Sequence, residues 1–223
     1  MIINLTPRLS AAASLVKGGG IIADIGTDHG YLPIYLIQSG KIEKAIAADI
    51  GEMPLENARK SVAQYGLADK IELRLSDGLN SFMENEVNEI VFAGMGGTLI
   101  AEKLKETPWI KNKVLHFVFQ PQSRAEDLRE FLYSNGFEIG TEIATHEGSR
   151  FYIAFDAFYT GEVREFTIAD CFLGKLPKTD DAKMHIGKQV NRLQKRYDAT
   201  KEIGKEDTDL FKTIQKLKDF LNG

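Results

Sequence analysis

The chain reads as an α/β protein: a parallel sheet with helices on both faces, finished by an antiparallel hairpin and followed by a helical arm. Three observations predict this. Short apolar runs alternate with amphipathic stretches from residue 21 to residue 134, and strand–helix alternation of that kind builds a parallel sheet between helix layers. Two strand-like patterns then stand only His146-Glu147-Gly148-Ser149 apart, a connection that can turn a hairpin but cannot carry a parallel crossover. Beyond Thr160-Gly161 the apolar positions recur in steps of four and three, the period of a helix.

Thr6-Pro7-Arg8 opens the first helix, with Thr6 at the N-cap and Pro7 at the first helical position. Gly18-Gly19-Gly20 ends it. Ile21–Ile25 is the first strand and Tyr31–Gln38 the next helix. Lys44–Asp49 is the second strand, followed by the helix Pro54–Tyr65 with Gly66 as its stop. Ile71–Leu75 and Glu89–Phe92 are strands three and four, and Thr98–Lys105 is helical. Val114–Phe119 is the fifth strand, followed by the helix Ala125–Ser134 and its stop at Gly136. Phe137–Thr145 and Arg150–Phe158 form the hairpin. Ile186, Val190, Leu193 and Tyr197, then Leu210, Ile214, Leu217 and Leu221, mark two helices around Gly204, an antiparallel coiled-coil pair. Two units follow: residues 1–160 as the α/β domain and residues 161–223 as the arm. Low apolar density and abundant lysine favour an arm that projects over one folded flat.

The 223 residues carry a net charge of −4, so the molecule as a whole is not a basic nucleic-acid binder. The charge is unevenly placed, however. Residues 161–223 hold 13 basic against 11 acidic side chains, and within 183–201 six basic residues face one acidic. A local basic face on an acidic enzyme fits a nucleic-acid substrate better than a small metabolite. Cys171 is the only cysteine, which excludes an intrachain disulfide and suits a reducing compartment. It is expected to behave as a small buried hydrophobe. No apolar run approaches the ~18 residues of a membrane span, and the start lacks a signal-peptide pattern. The expectation is a cytoplasmic protein with no membrane association and no obligate protein partner.

The chemistry concentrates after the first strand, in Asp24-Ile25-Gly26-Thr27-Asp28-His29-Gly30, at the edge where open α/β sheets bind ligands. A dinucleotide turn asks for G-x-G-x-x-G, so that backbone can approach a pyrophosphate. Here Asp24 and Asp28 would repel a pyrophosphate and attract a cation. S-adenosylmethionine, the adenosyl cofactor with a sulfonium, is such a cation, which points to a methyltransferase. A terminal antiparallel hairpin supports this independently, since class I methyltransferases end their sheet that way and dehydrogenases continue with parallel strands. Gly26 permits the tight turn beside Thr27, and Gly30 starts the helix. Asp49, with Ile50 next to it, ends the second strand 23 residues beyond Gly26, placed to accept from both ribose hydroxyls. Asp77-Gly78 ends the third strand; Asp77 either accepts from the cofactor's adenine amine or belongs to a plain turn.

Gly94-Met95-Gly96-Gly97 follows the fourth strand, where class I enzymes keep the residues nearest the transferred methyl. Glycine lets backbone approach a flat base closely, although close strand–helix packing would also use it. Gln120-Pro121-Gln122 adds amide groups at the same rim. Tyr31 either stacks on a target base or faces the core, and His29 bonds locally or acts as a base. Trp109, after Pro108, is expected to pack. His116, His146 and His185 lack metal-ligand spacing, and no metal is expected.

These residues resemble the bacterial tRNA (adenine(22)-N1)-methyltransferases. The resemblance is carried by Arg8-Leu9, by Ala23-Asp24-Ile25-Gly26-Thr27-Asp28-His29-Gly30-Tyr31-Leu32-Pro33 and by Ala93-Gly94-Met95-Gly96-Gly97. Gln120-Pro121, Leu128-Arg129 and Asn135-Gly136 add to it. It implies S-adenosylmethionine as cofactor, N1 of a tRNA adenine as acceptor, and a C-terminal coiled-coil arm. Adenine N1 has an in-plane lone pair and needs no prior deprotonation, so a carboxylate would serve to stabilise charge moving onto the ring. Asp28 is the catalytic candidate. The substrate candidates are Arg8 on the opening helix, Tyr31, and Lys188, Arg192 and Arg196 on the arm, whose spacing could track phosphates. A methyltransferase with a protein or small-molecule acceptor, and a non-catalytic tRNA-binding protein on the same fold, remain as alternatives.

Overall fold

A computed structural model of the protein describes residues 2–223. One sheet of seven strands runs through it in the order β3-β2-β1-β4-β5-β7-β6. The strands are β1 (Ile21–Ile25), β2 (Lys44–Asp49), β3 (Ile71–Leu75), β4 (Glu89–Ala93), β5 (His116–Gln120), β6 (Phe137–Glu147) and β7 (Arg150–Tyr159). The first five are parallel, and β7 pairs antiparallel with both β5 and β6. The strand order reverses between β1 and β4, the crossover beside which such sheets open a ligand crevice.

Helices α1 (Pro7–Leu15), α2 (Tyr31–Gln38) and α3 (Glu52–Gln64) cover one face, where Ala12, Val16, Leu32, Ile34 and Val62 share a core with Ile22, Ala47 and Val91. The other face carries α4 (Gly97–Lys105), α5 (Ala125–Ser134), α6 (Ile168–Leu173), α7 (Asp180–Glu202) and α8 (Thr208–Asn222) over Phe92, Phe117, Phe119 and Phe155. Both faces being covered explains why the central strands read as continuous apolar runs.

Most boundaries follow the sequence within two residues. Helix α3 starts at Glu52 instead of Pro54, which puts the proline in the first turn, where its missing N–H is harmless. Two short elements go beyond the pattern: a 3-10 turn at Pro108–Ile110 and α6. Trp109 in that turn packs against the core as expected. Helix α6 has a local signature that periodicity passes over, a capping box in which Thr167 N–H donates to Asp170 Oδ2 (2.6 Å) and Asp170 N–H to Thr167 Oγ1 (3.3 Å).

The C-terminal helices form the expected antiparallel pair: Tyr197 packs on Phe211 and Lys218 donates to Gln194. They differ from a projecting arm in lying along the domain. Ala182, Ile186, Val190 and Leu193 of α7 and Ile214 and Leu217 of α8 belong to the same buried cluster as the sheet. A buried aliphatic side chain gains about 1.5–3 kcal/mol over an exposed one, so lifting the pair away would forfeit several such contributions. Arg129 of α5 fastens the junction from below. Its guanidinium is bidentate to Glu142 of β6 (3.0 Å each) and also donates to the Cys171 and Phe172 carbonyls at the end of α6 (2.8 and 3.2 Å). Cys171 is buried there, and burial pushes its thiol up to about 12, so it stays protonated.

Candidate active site

At the carboxyl ends of β1 and β4 the chain opens a cleft of about 340 Å³. Its walls come from the start of α1 (Thr6, Arg8, Leu9), the β1–α2 loop (Asp24 to Tyr31) and the ends of β4 and β5 (Gly94, Gln122). The β1–α2 turn is held by its neighbour strand: Gly26 and Thr27 N–H both donate to the Ala48 carbonyl (2.8 and 3.0 Å). Gly26 sits at φ +79°, and a Cβ there would come within 2.8 Å of Met95 Sδ, so glycine serves both the turn and the close approach. Gly30, also left-handed, caps α2.

The loop is acidic and short of partners. Asp24 is buried, and burial raises its carboxyl to about 6, with the charge of Asp49 pushing the same way. The nearby Thr27 hydroxyl offsets part of this, yet its oxygen meets no partner at hydrogen-bonding geometry and stays a buried unsatisfied group at the cleft floor. Asp49 is raised too, by burial first and then by Asp28, while the Gly51 N–H donates to its carboxylate (2.7 Å) and lowers it. Three carboxylates that oppose one another's charge suit a cation, and S-adenosylmethionine carries two, a sulfonium and an ammonium. The residues present therefore fit that cofactor and disfavour a pyrophosphate.

Asp24, Gly26, Thr27, Asp28, Gly30, Tyr31, Gly94 and Arg8 come together along the cleft. Met95 packs beside Gly26. Asp49 with Ile50, and Asp77 with Gly78, line up on the adjacent ends of β2 and β3, beyond the cleft wall. Asp77 pairs with Lys103 through Oδ2 (2.9 Å), and its Oδ1 has no hydrogen bond among the described residues. Asp28 is largely exposed, 3.3 Å from His29 Nε2. The His29 ring in turn stacks on Tyr31 at 5.0 Å between centroids, and Tyr31 is exposed at the lip instead of facing the core. Arg8 is held by Gln120 Oε1, which accepts from Nη1 (3.0 Å), and by Glu147, which accepts from the Arg8 backbone N–H (3.0 Å).

The arm residues lie on α7 away from the cleft. Lys188 donates to the Ser149 carbonyl and covers the Phe151 ring, Arg192 pairs with Glu126 (2.6 Å), and Arg196 lines a groove with Arg124. Glu147 and Gln120 were beyond sequence reasoning as Arg8 partners. They stand 139 and 112 positions from it, and nothing local marks a pairing across that distance.

A doubly wound sheet finished by an antiparallel hairpin, with an acidic cleft at the β1–β4 crossover, defines a class I methyltransferase. Residues 5–155 match the family model described as "Methyltransferase domain". The tRNA (adenine(22)-N(1))-methyltransferase of Bacillus subtilis is 35% identical over 153 residues, which are 67% of this chain and 63% of that protein. The chain thus aligns with somewhat less than two thirds of that relative's length. A candidate tRNA (m1A22) methyltransferase of Streptococcus pneumoniae, solved with S-adenosyl-L-methionine, is 33% identical and superposes with a TM-score of 0.83 over 99% of this chain and 100% of that one. The M. capricolum TrmK complex with S-adenosyl-homocysteine superposes at 0.81, with 25% identity over 98% of each chain. This chain belongs to the bacterial tRNA (adenine(22)-N1)-methyltransferase family.

Proposed function

We propose that the protein transfers a methyl group from S-adenosylmethionine to N1 of an adenine in tRNA, at position 22 as the B. subtilis relative is named. The observation that carries the reading is the acidic cleft at the β1–β4 crossover, with Asp24 raised by burial and the Thr27 oxygen unsatisfied, beside an open lip at Gly94. No helix among the described residues is long and apolar enough to cross a membrane, and the tRNA reading carries with it an assignment to the cytoplasm.

When bound, the cofactor supplies an electrophilic methyl on a sulfonium whose sulfur leaves as a neutral thioether. The adenine N1 lone pair forms the new N–C bond as the S–C bond breaks, and one positive charge passes from sulfur to the ring. Asp24 and Asp49 hold the cofactor's cationic and hydroxyl groups. Tyr31, exposed at the lip and braced by His29, presents a face on which the base stacks. Asp28 places a carboxylate on the same loop, where it stabilises the cationic adenine or takes a proton from its exocyclic amine. Holding base and methyl in line supplies much of the acceleration. Arg8, Lys188, Arg192 and Arg196 are assigned to the tRNA backbone, which must open locally to release the base.

The test is methyl transfer from labelled S-adenosylmethionine to unmodified bacterial tRNA, with product nucleosides identified by mass spectrometry. Appearance of 1-methyladenosine is expected. Cofactor binding with no tRNA product would move the acceptor to a protein or small molecule. Tight tRNA binding without cofactor affinity would make the chain a binding protein on this fold.

A further inference from the structure

The reaction at N1 poses a recognition problem that one side chain in the cleft is built to solve. If N1 attacks, N1 itself faces the methyl and is not free to accept a hydrogen bond from the protein. The base must then be identified by its other polar edge, where adenine presents the N7 acceptor and the N6 amine donor. A carboxamide matches that pair, with its N–H donating to N7 and its oxygen accepting from N6. Guanine shows two acceptors there, N7 and O6, and would leave the amide oxygen facing another oxygen.

Two glutamines follow one another closely at the end of β5, and only Gln122 lines the cleft. Gln120 is fully buried, accepts from Arg8 Nη1 and donates to the Pro121 carbonyl (3.3 Å). Gln122 lines the cleft with its side chain exposed, and among the described residues its carboxamide has no hydrogen-bond partner. Its backbone is nevertheless fixed. The Gln122 N–H donates to the Met95 carbonyl (2.9 Å), and the next residue, Ser123, accepts from the Gly97 N–H (2.7 Å). The β5–α5 loop is thereby laced to the glycine run after β4, and Gln122 is carried at a set height above Gly94. Gly94 has φ +94°, and a Cβ there would stand 3.5 Å from both Gln122 Nε2 and Arg8 Nη1. Its lack of a side chain keeps open the space onto which the free carboxamide looks.

We propose that Gln122 is the specificity-determining residue of the cleft, reading the N7 and N6 edge of the target adenine and so turning N1 toward the methyl. This rests on the adenine-N1 reading above. The test compares tRNA carrying adenosine or 7-deazaadenosine at the target position, with wild-type protein and with Gln122→Ala, and measures S-adenosylmethionine affinity of both proteins. Wild type is expected to lose about 10–100-fold in kcat/KM on the 7-deaza substrate, the scale of one bidentate base contact. Gln122→Ala is expected to lose a similar factor on adenosine, to be indifferent to the missing N7, and to bind the cofactor as wild type does. A variant that keeps wild-type kcat/KM on adenosine, or that still suffers the full 7-deaza penalty, overturns the proposal. Wild-type protein that methylates tRNA at a different atom overturns the parent reading, and is recognised from the product before any variant is compared.

Discussion

Under the proposed function, Asp24 links fold stability to ligand binding through one buried carboxyl. Its folded value, about 6, lies above the ordinary 3.8 of an aspartate in the unfolded chain. A raised carboxyl opposes the fold when ionised, so its contribution is fully present below the unfolded value and is lost as pH rises through about 6. At neutral pH that loss is on the order of 2–3 kcal/mol. The cationic cofactor reverses the balance, because it prefers the ionised form. Titration calorimetry across pH 5 to 8 should therefore show cofactor affinity level above about pH 7 and weakening toward tenfold per unit below about 6; a flat profile would detach Asp24 from the cation. Asp24→Asn should abolish cofactor binding while leaving the melting temperature at pH 8 unchanged or higher. The neighbouring Asp28 has the opposite character, exposed and free of strand packing. Asp28→Asn should lower kcat by about 100-fold, within the range for a group acting on transition-state charge or a proton, with cofactor Kd within about twofold. Full turnover in that variant would end its catalytic assignment. Both aspartates were legible in the sequence because a carboxylate-rich turn has no other economical use. The His29–Tyr31 stack was not, since it depends on side-chain directions at the mouth of α2.

At the scale of elements, α7 carries an apolar and a basic face. Its apolar face, Ile186, Val190, Leu193 and Tyr197, was visible as a helical period and is buried as such. Its basic face reads as one row of candidate phosphate contacts, yet the fold gives the row different surroundings. Arg192 shares its charge with Glu126, and reversing it would set two carboxylates against each other. Lys188 and Arg196 are the cleaner probes. Replacing both with alanine should weaken tRNA binding and reduce the slope of log affinity against log salt by about 0.7–0.9 per contact removed. Filter binding at several salt concentrations would read this directly, and an unchanged slope would leave the face with a packing role alone. The hairpin β6–β7 likewise does more than end the sheet: through Glu147 it reaches back to Arg8 on α1, and so ties down a helix whose start lines the cleft.

Across the whole molecule, the C-terminal helices and the sheet are joined through buried polar chemistry as well as apolar contact. The Arg129 guanidinium and the Glu142 carboxylate are almost fully excluded from water, and the remaining donors go to the end of α6. Removing one partner of such a pair leaves an uncompensated buried charge, at about 3–5 kcal/mol. Arg129→Met should accordingly lower stability by that order in denaturant unfolding, and Arg129→Met with Glu142→Leu should recover much of the loss. A single variant within about 1 kcal/mol of wild type would show that the junction tolerates an unpaired Glu142. Arg129 stands out in the sequence only within the family resemblance, because an arginine midway along an amphipathic helix gives no sign of which side it turns to.

The sequence by itself determined the alternation of strands and helices, the antiparallel finish, the acidic turn and the class of cofactor, since each depends on residues within a few positions of one another: a period, a loop length, two carboxylates around glycines. Only the tertiary structure decided that the helical arm lies along the domain, that Tyr31 faces outward, that Arg8 is held by Gln120 and Glu147, and that Gln122 and not Gln120 lines the cleft. Those outcomes depend on which distant side chains meet once the sheet is closed. Periodicity carries no information about a partner more than a hundred positions away, whereas packing at full density leaves each buried polar group a small set of neighbours to choose from.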